Sequence, residues 1–166
     1  MIVPEVSQII NAVLLFAVYS FTGWIIEVIY RSLNSRRFVN AGFLYGFFLP
    51  LYGTGALLLV LMNNLIPEQN IAVMFVIFAL TLSVIEYITG VLSEKIFNLT
   101  LWDYSENRFN INGKVCLSFS AAWGVMALIF TEFIHPFISS IIIQIPETIQ
   151  ETSALLFSLY LSADII

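Results

Sequence analysis

The sequence predicts an all-α membrane protein, a bundle of about five transmembrane helices with an interfacial helix on the outer face. Three observations carry this. Of 166 residues, 60% are hydrophobic and 10% charged, where a soluble domain would carry about a quarter of its residues as Lys, Arg, Glu and Asp. The mean hydropathy is +0.95, so lipid must solvate most of the surface. Apolar runs long enough to cross ~30 Å of hydrocarbon recur along the chain.

The first run, from about Ile9 to Tyr30, reads as a retained span. The residues before it lack the basic start of a signal peptide, and it ends on Glu27, Tyr30 and Arg31 rather than at a small-residue cleavage site. A second run extends from about Phe43 to Leu61, a third from Ile71 to Ser93 and a fourth from Val115 to Phe133. The stretch Thr152 to Ile166 makes about 22 Å of helix, either a short fifth span or one cut off by the end of this chain. Between the last two, the run after His135-Pro136, through Phe137 and Ile141 to Pro146, reads as an interfacial or part-inserted outer helix. No repeat or linker divides the chain, so residues 1–166 are expected to form a single transmembrane domain.

Loop charge gives the topology. Arg31, Arg36 and Arg37 follow the first span, and Lys95, Arg108 and Lys114 follow the third, so the basic residues share one side. That side is expected to be cytoplasmic. The loop 62–70 with Glu68, the segment 134–151 and the N-terminus then face outward, as in a multi-pass protein of the cytoplasmic (inner) membrane.

Composition also excludes functions. A net charge of -5 leaves no basic patch for nucleic acid. A single cysteine, Cys116, and a single histidine, His135, rule out a Cys-based zinc site and a multi-histidine metal site, and no cofactor is implied. Neither a G-x-x-x-x-G-K-[ST] nor a G-x-G-x-x-G pattern occurs, so any ATP would be hydrolysed by a separate ATPase partner.

Charges inside the apolar runs are the lead to chemistry, because each is costly in hydrocarbon unless paired or wet. Glu86 lies eight residues before Glu94 on the third span, and Gly90 between them shares their face and leaves room for a neighbour. Without a basic residue at i±3 or i±4, Glu86 must be protonated, solvated by a cavity, or paired with an arginine of the first loop, and the paired case is the expectation. Glu27 stands four residues before Arg31, the favourable order for an ion pair at the helix end. Glu132 is expected near the outer interface, and His135 reads as a helix-end residue.

Two segments read in more than one way. Gly42, Gly46, Pro50, Gly53 and Gly55 in the second run serve either close packing and kinking or a substrate-lining break. The loop 94–114 carries Trp102, Asp103, Tyr104 and Ser105, then Asn107, Arg108, Phe109, Asn110 and the turn signal Asn112-Gly113. It is either an interfacial loop with rings at headgroup level or a polar site at the membrane surface built with Glu27, Arg31 and Glu86.

Several blocks fall in the order of a known family. They include Gly23-Trp24-Ile25-Ile26-Glu27-Val28-Ile29-Tyr30-Arg31-Ser32, Arg36-Arg37-Phe38-Val39-Asn40 with Gly42-Phe43-Leu44-Tyr45-Gly46, and Leu49-Pro50-Leu51-Tyr52-Gly53. Glu86-Tyr87-Ile88-Thr89-Gly90 with Glu94-Lys95, Trp102-Asp103-Tyr104-Ser105, Asn112-Gly113-Lys114-Val115-Cys116-Leu117, Trp123-Gly124 and His135-Pro136 continue the series. From about Phe16 to Pro146 the chain resembles the ABC-transporter type IV family of bacterial polytopic membrane proteins. The resemblance implies a permease-like part of a transporter and supplies no substrate or catalytic residue. The departure is the end at Ile166, where the family's last span runs further.

The expected function is therefore a permease-like membrane subunit of an ABC-type transporter with a polar site in the cytoplasmic half of the membrane. Glu27, Arg31, Arg36, Arg37, Glu86, Glu94, Trp102, Asp103, Tyr104 and Ser105 are its candidate residues. The alternatives are an intramembrane enzyme acting on lipid or lipid phosphate, with Glu86 or Asp103 as base and arginines holding the phosphate, and a non-catalytic scaffold or lipid-binding subunit. Small-x-x-x-small faces at Gly42/Gly46 and Ser120/Gly124 add the expectation of a homodimer or a complex with another membrane subunit.

Overall fold

The computed structural model describes residues 4–40, 46–66 and 70–165. It is 79% helical, which bears out the all-α class. In chain order come α1 (Pro4–Ser35), α2 (Pro50–Leu65), α3 (Ile71–Phe97), a hairpin of β1 (Asn110–Ile111) and β2 (Val115–Cys116), α4 (Leu117–Ile129), a π-helical turn (Phe130–Ile134), α5 (His135–Gln144) and α6 (Glu147–Ile165). Among the described residues three helical stretches have the length and composition to cross a bilayer, Val6–Ser35, Ile71–Phe97 and Leu117–Gln144, while α2 is a shorter apolar helix. Large apolar side chains stand exposed along them, among them Leu33, Leu80, Ile96 and Phe133. Such surface is tolerated only against lipid, so this is a membrane protein.

The helix boundaries depart from the hydropathy runs at several points, the fourth span for one beginning at Leu117 after a strand at Val115–Cys116, and three departures change how the spans are read. The second helix begins at Pro50 rather than near Phe43, with Gly46–Leu49 outside it. Proline suits the first helical position, where its missing N–H is not needed, and it biases the preceding residue away from the helix. Gly42 and residues 43–45, and Glu68 in the next loop, lie outside the described residues. The last helix begins at Glu147 and has 19 residues, but with Glu147, Glu151 and Asp164 it falls outside the candidate spans.

The third departure is at His135-Pro136. The helix runs on through this pair, so the expected outer helix continues the fourth span as one apolar stretch of 28 residues. Pro136 cannot donate a backbone hydrogen bond, and its ring crowds the carbonyl one turn back. The π-helical turn widens the helix just ahead of it, with the His135 N–H bonding to the Phe130 carbonyl. Thr131 Oγ1 donates to the carbonyls of Ala127 at 3.0 Å and Leu128 at 3.2 Å within the same region.

The chain forms two compact units, one of Met1–Leu57 with Phe137–Ile166 and one of Leu58–Pro136. In the first, α1 and the start of α2 approach closely because glycines face bulky partners. A Cβ at Gly23 would lie 2.2 Å from Tyr52 Cγ, and one at Gly53 would lie 2.2 Å from Ser20 Oγ. The Leu49 N–H bonds to the Ser20 carbonyl at 3.0 Å just before α2 begins. Rings of Phe48, Phe157 and Tyr160 pack on one another with centroids 5.0 and 5.5 Å apart, tying α6 to this unit. The α5–α6 connection is closed by Gln150, whose Nε2 donates to the carbonyls of Ile142 and Ile145 at 2.9 Å.

In the second unit α3 and α4 pack antiparallel. Gly124 sits against Phe75 and Ala79, and Ser83 Oγ donates to Ser120 Oγ at 2.6 Å. The Ser120/Gly124 face, expected to be free for association, is thus used inside the chain. Phe78 at the centre is completely buried among Leu59, Met74 and Ala127. Asn70 caps α3 by accepting the Ala72 N–H at 2.9 Å. Asn98 ends it in the left-handed conformation, φ 57°, donating to the Glu94 carbonyl. That reversal turns the chain back along α3 into the hairpin segment.

Candidate functional site

The buried face of α3 in the second unit carries Glu86, Gly90 and Ser93, while Glu94, expected on the same face, is half-buried at its edge. Gly90 receives a neighbour there. Its Cβ position would lie 3.0 Å from Lys114 Cδ, so the lysine stem lies over the glycine. Lys114 is 7% exposed and its ammonium pairs with Glu94, which is open to solvent on its other side. Lys114 enters the expectations only as a loop charge; the one signal for its burial is the gap left by Gly90.

Glu86 is 8% exposed. Its Oε1 accepts from the Tyr104 hydroxyl at 2.9 Å, and the Tyr104 ring stacks on Phe119 with centroids 4.5 Å apart. Trp123 offers the carboxyl a second donor. That contact falls short of full hydrogen-bond geometry, and Oε2 is left buried without a partner. Its donor is a phenol where an arginine was expected. Among the described residues the ion pairs are Lys114–Glu94 and Arg31–Glu27.

The hairpin segment that brings Tyr104 to Glu86 is held by its own polar side chains. Asp103 Oδ1 accepts from the Ser105 hydroxyl at 2.5 Å and the Ser105 amide at 2.9 Å, an Asx turn. The Tyr104 amide donates to the Gly113 carbonyl at 2.8 Å, and Trp102 Nε1 donates to the Lys114 carbonyl at 2.8 Å. Asn110 braces the interior, its Nδ2 donating to the Asn107 carbonyl at 2.8 Å and its Oδ1 accepting the Gly113 amide at 3.1 Å. The turn falls on Asn112 and Gly113, with φ of 52° and 68°. A side chain at Gly113 would also meet Asp103 Oδ1 at 2.6 Å, so glycine is required there twice over.

Two consequences are measurable. Glu94→Gln leaves a buried ammonium without its carboxylate, whereas Lys114→Met removes the buried charge and leaves Glu94 to solvent. The first is therefore expected to lower the thermal midpoint more than the second, and midpoints in detergent check the order. The Asp103 carboxyl is held below the usual carboxylate range, first by the Ser105 hydroxyl and then by the Ser105 amide. Its contribution to the turn is present above the ordinary aspartate pKa and lost as the pH falls through the lowered folded value. Wild type is expected to exceed Asp103→Asn in thermal midpoint at neutral pH, with the difference vanishing below about pH 4.

In the first unit Arg31 Nε donates to Glu27 Oε1 at 2.8 Å, and the Tyr52 hydroxyl donates to Glu27 Oε2 at 3.1 Å. The helix-end pair is as expected, and Tyr52 is the partner that spacing did not reveal. Arg36 and Arg37 stand exposed past the end of α1, Arg36 in the left-handed conformation with φ 52°. The Gly46 amide donates to both carboxylate oxygens of Asp164, at 3.1 and 3.0 Å. No group of three or more His, Cys, Asp or Glu suited to a metal ion occurs among the described residues.

Eight of the ten candidate residues thus fall into two networks, each inside one unit, while Arg36 and Arg37 stand exposed outside both. Glu86, Glu94, Trp102, Asp103, Tyr104 and Ser105 converge with Lys114 around α3, and Glu27 and Arg31 meet at the end of α1. A family model described as "Putative ABC-transporter type IV" matches residues 14–166, which takes in both networks. The chain belongs to this family. Its name and the apolar helices together make it an ABC-transporter-related membrane protein. Neither a curated protein nor a solved structure matches the chain.

Proposed function

We propose that this chain is the permease-like subunit of an ABC-type transporter of the bacterial cytoplasmic membrane, with Glu86 at the heart of its polar site. The observation that carries the reading is a buried carboxyl, on a helix able to cross the bilayer, met by the Tyr104 phenol and approached by Trp123, with no basic group paired to it among the described residues. Such a group is expensive in a membrane, and an apolar residue would pack the position at less cost. In this reading Glu86 faces the transported species, Tyr104 positions it, and Trp102, the Asp103–Ser105 turn and the Lys114–Glu94 pair hold the hairpin against α3. Glu27, Arg31, Arg36 and Arg37 form a second polar group at the cytoplasmic end of α1.

The single transmembrane domain has about five spans, with α6 as the fifth, the N-terminus outside and both basic loops in the cytoplasm. The stretch Leu117–Gln144 is longer than ~30 Å of hydrocarbon requires, so α5 emerges at the outer interface. A separate ATPase supplies the energy, and the chain works as a homodimer or beside another membrane subunit, since five spans barely enclose a pathway.

Charge favours transport of a cationic or neutral polar species over the lipid-phosphate enzyme. Around α3 the carboxylates of Glu94 and Asp103 stand with the Glu86 carboxyl against the single ammonium of Lys114, a poor setting for phosphate. Reconstitution with the ATPase purified from the same membranes tests the proposal. ATP hydrolysis that depends on this chain and falls with Glu86→Gln supports it. Hydrolysis indifferent to the chain, together with a lipid profile altered when its gene is removed, would instead favour the enzyme.

A further inference from the structure

The segment 99–116 joins two membrane helices, yet it lies alongside the last turns of α3 rather than beyond them. Ser120 on α4 is level with Ser83 on α3, and Gly124 with Phe75 and Ala79, so Leu117 begins α4 at about the level of Glu86. From Glu86, α3 continues a further 11 residues to Phe97, about 16 Å, and along this length its neighbour is the hairpin segment. Tyr104 stacks on Phe119, Asn107 Nδ2 reaches Cys116 Sγ at 3.4 Å, and the register Asn110↔Cys116 sets Phe109 beside Leu117. The lowest part of the hairpin is therefore level with the first turn of α4.

The exposed apolar stripe of α3 does not stop at that level. It runs through Val76, Leu80 and Val84 and on to Ile88, Leu92 and Ile96, at intervals of four residues. The hairpin continues the same kind of surface: Phe109 is 77% exposed, Ile111 58% and Leu117 60%. Phe109 is held there in the left-handed conformation, φ 55°, which a phenylalanine adopts only at a cost. Arg108 beside it is exposed and long enough to reach headgroups. Glu106 is exposed as well, so the segment has a polar edge in addition to its apolar one.

From this geometry we infer that segment 99–116 is a re-entrant hairpin in one leaflet, its Phe109–Ile111–Leu117 edge on acyl chains and its polar edge on water. The occupant of the apolar edge is lipid, because the hairpin packs alongside the last turns of a helix long enough to cross the bilayer and the side chains exposed on that edge are apolar. Non-helical backbone survives at membrane depth where protein or a wet cavity satisfies it, and the Asx turn, the Asn110 bonds and the Trp102 bond to Lys114 meet that demand. The hairpin then roofs Glu86 from the hydrocarbon and leaves an aqueous approach along its polar edge. This placement does not depend on what is transported.

Spin labels on introduced cysteines test it in lipid vesicles, with collision rates against oxygen and a water-soluble nickel chelate giving depth. Cys116 is 1% exposed and stays unlabelled in the folded protein, so the wild-type background serves with an unsubstituted control. Phe109→Cys and Ile111→Cys are expected to match the lipid reference Ile88→Cys, with nickel accessibility about tenfold below that of Glu106→Cys. Leu117→Cys provides a second probe of the apolar edge should the strained Phe109 site disturb folding. Nickel accessibility at 109, 111 and 117 equal to that at 106 would place the hairpin in water and overturn the inference. Low accessibility to both reagents would mean that protein, such as a second copy of this chain, covers the edge, and would overturn it too.

Discussion

Glu86→Gln is expected to leave stability within about 0.5 kcal/mol of wild type while reducing chain-dependent ATP turnover at least about tenfold. The amide keeps an oxygen for the Tyr104 hydroxyl, and the atom it changes makes no full hydrogen bond, Trp123 being its approaching donor. Tyr104→Phe should behave in the opposite way. It keeps the stack on Phe119 but removes the hydroxyl donor from a buried carboxyl, at a cost of about 1 to 2 kcal/mol. Unfolding in mixed micelles alongside turnover in vesicles separates the two. Equal loss of stability and activity in Glu86→Gln would make Glu86 a packing residue.

The other large effect is expected at Gly23. A methyl group there would fall 2.2 Å from Tyr52 Cγ and 2.4 Å from Tyr52 Cβ, and the latter cannot swing away because it is fixed to the backbone. Gly23→Ala must therefore part α1 from the start of α2, at about 2 to 3 kcal/mol. Displacing Tyr52 also takes its hydroxyl from Glu27, which keeps Arg31 as its remaining partner. Tyr52→Gly, which removes the Cβ as well as the ring, should therefore cost less in Gly23→Ala than in wild type, and the double-mutant cycle measures that coupling. Additive losses would show that the close approach is not what Gly23 provides.

The helices were legible because hydropathy writes them directly, and what stayed illegible depended on tertiary context. Pro50 sits in an apolar run where a proline reads equally as a kink inside a helix or as its first residue, and the close seat of Gly53 on Ser20 marks the helix that begins there. His135-Pro136 read as a break, but a π-helical turn absorbs the proline without ending the helix.

The site shows the same division. Trp102-Asp103-Tyr104-Ser105 and Asn112-Gly113 announce a structured polar loop, and Glu86 announces a costly charge, since both are local statements. That Tyr104 is the donor to Glu86 depends on the Asn98 reversal and the hairpin register. Sequence alone points to an arginine as the countercharge, whereas a phenol 18 residues along supplies the hydrogen bond. Lys114 was hidden for a related reason, its burial being decided by the empty side of Gly90 on another element.

Affinity purification of the intact chain from native membranes, with quantitative mass spectrometry of what accompanies it, tests the central claim most directly. The account predicts an ATPase with Walker-type phosphate-binding motifs at a fixed ratio to the chain, lost when the cytoplasmic loops are altered at Arg36 and Arg37. Recovery of the folded chain with no such ATPase, in gentle detergent and in lipid nanodiscs alike, would contradict it.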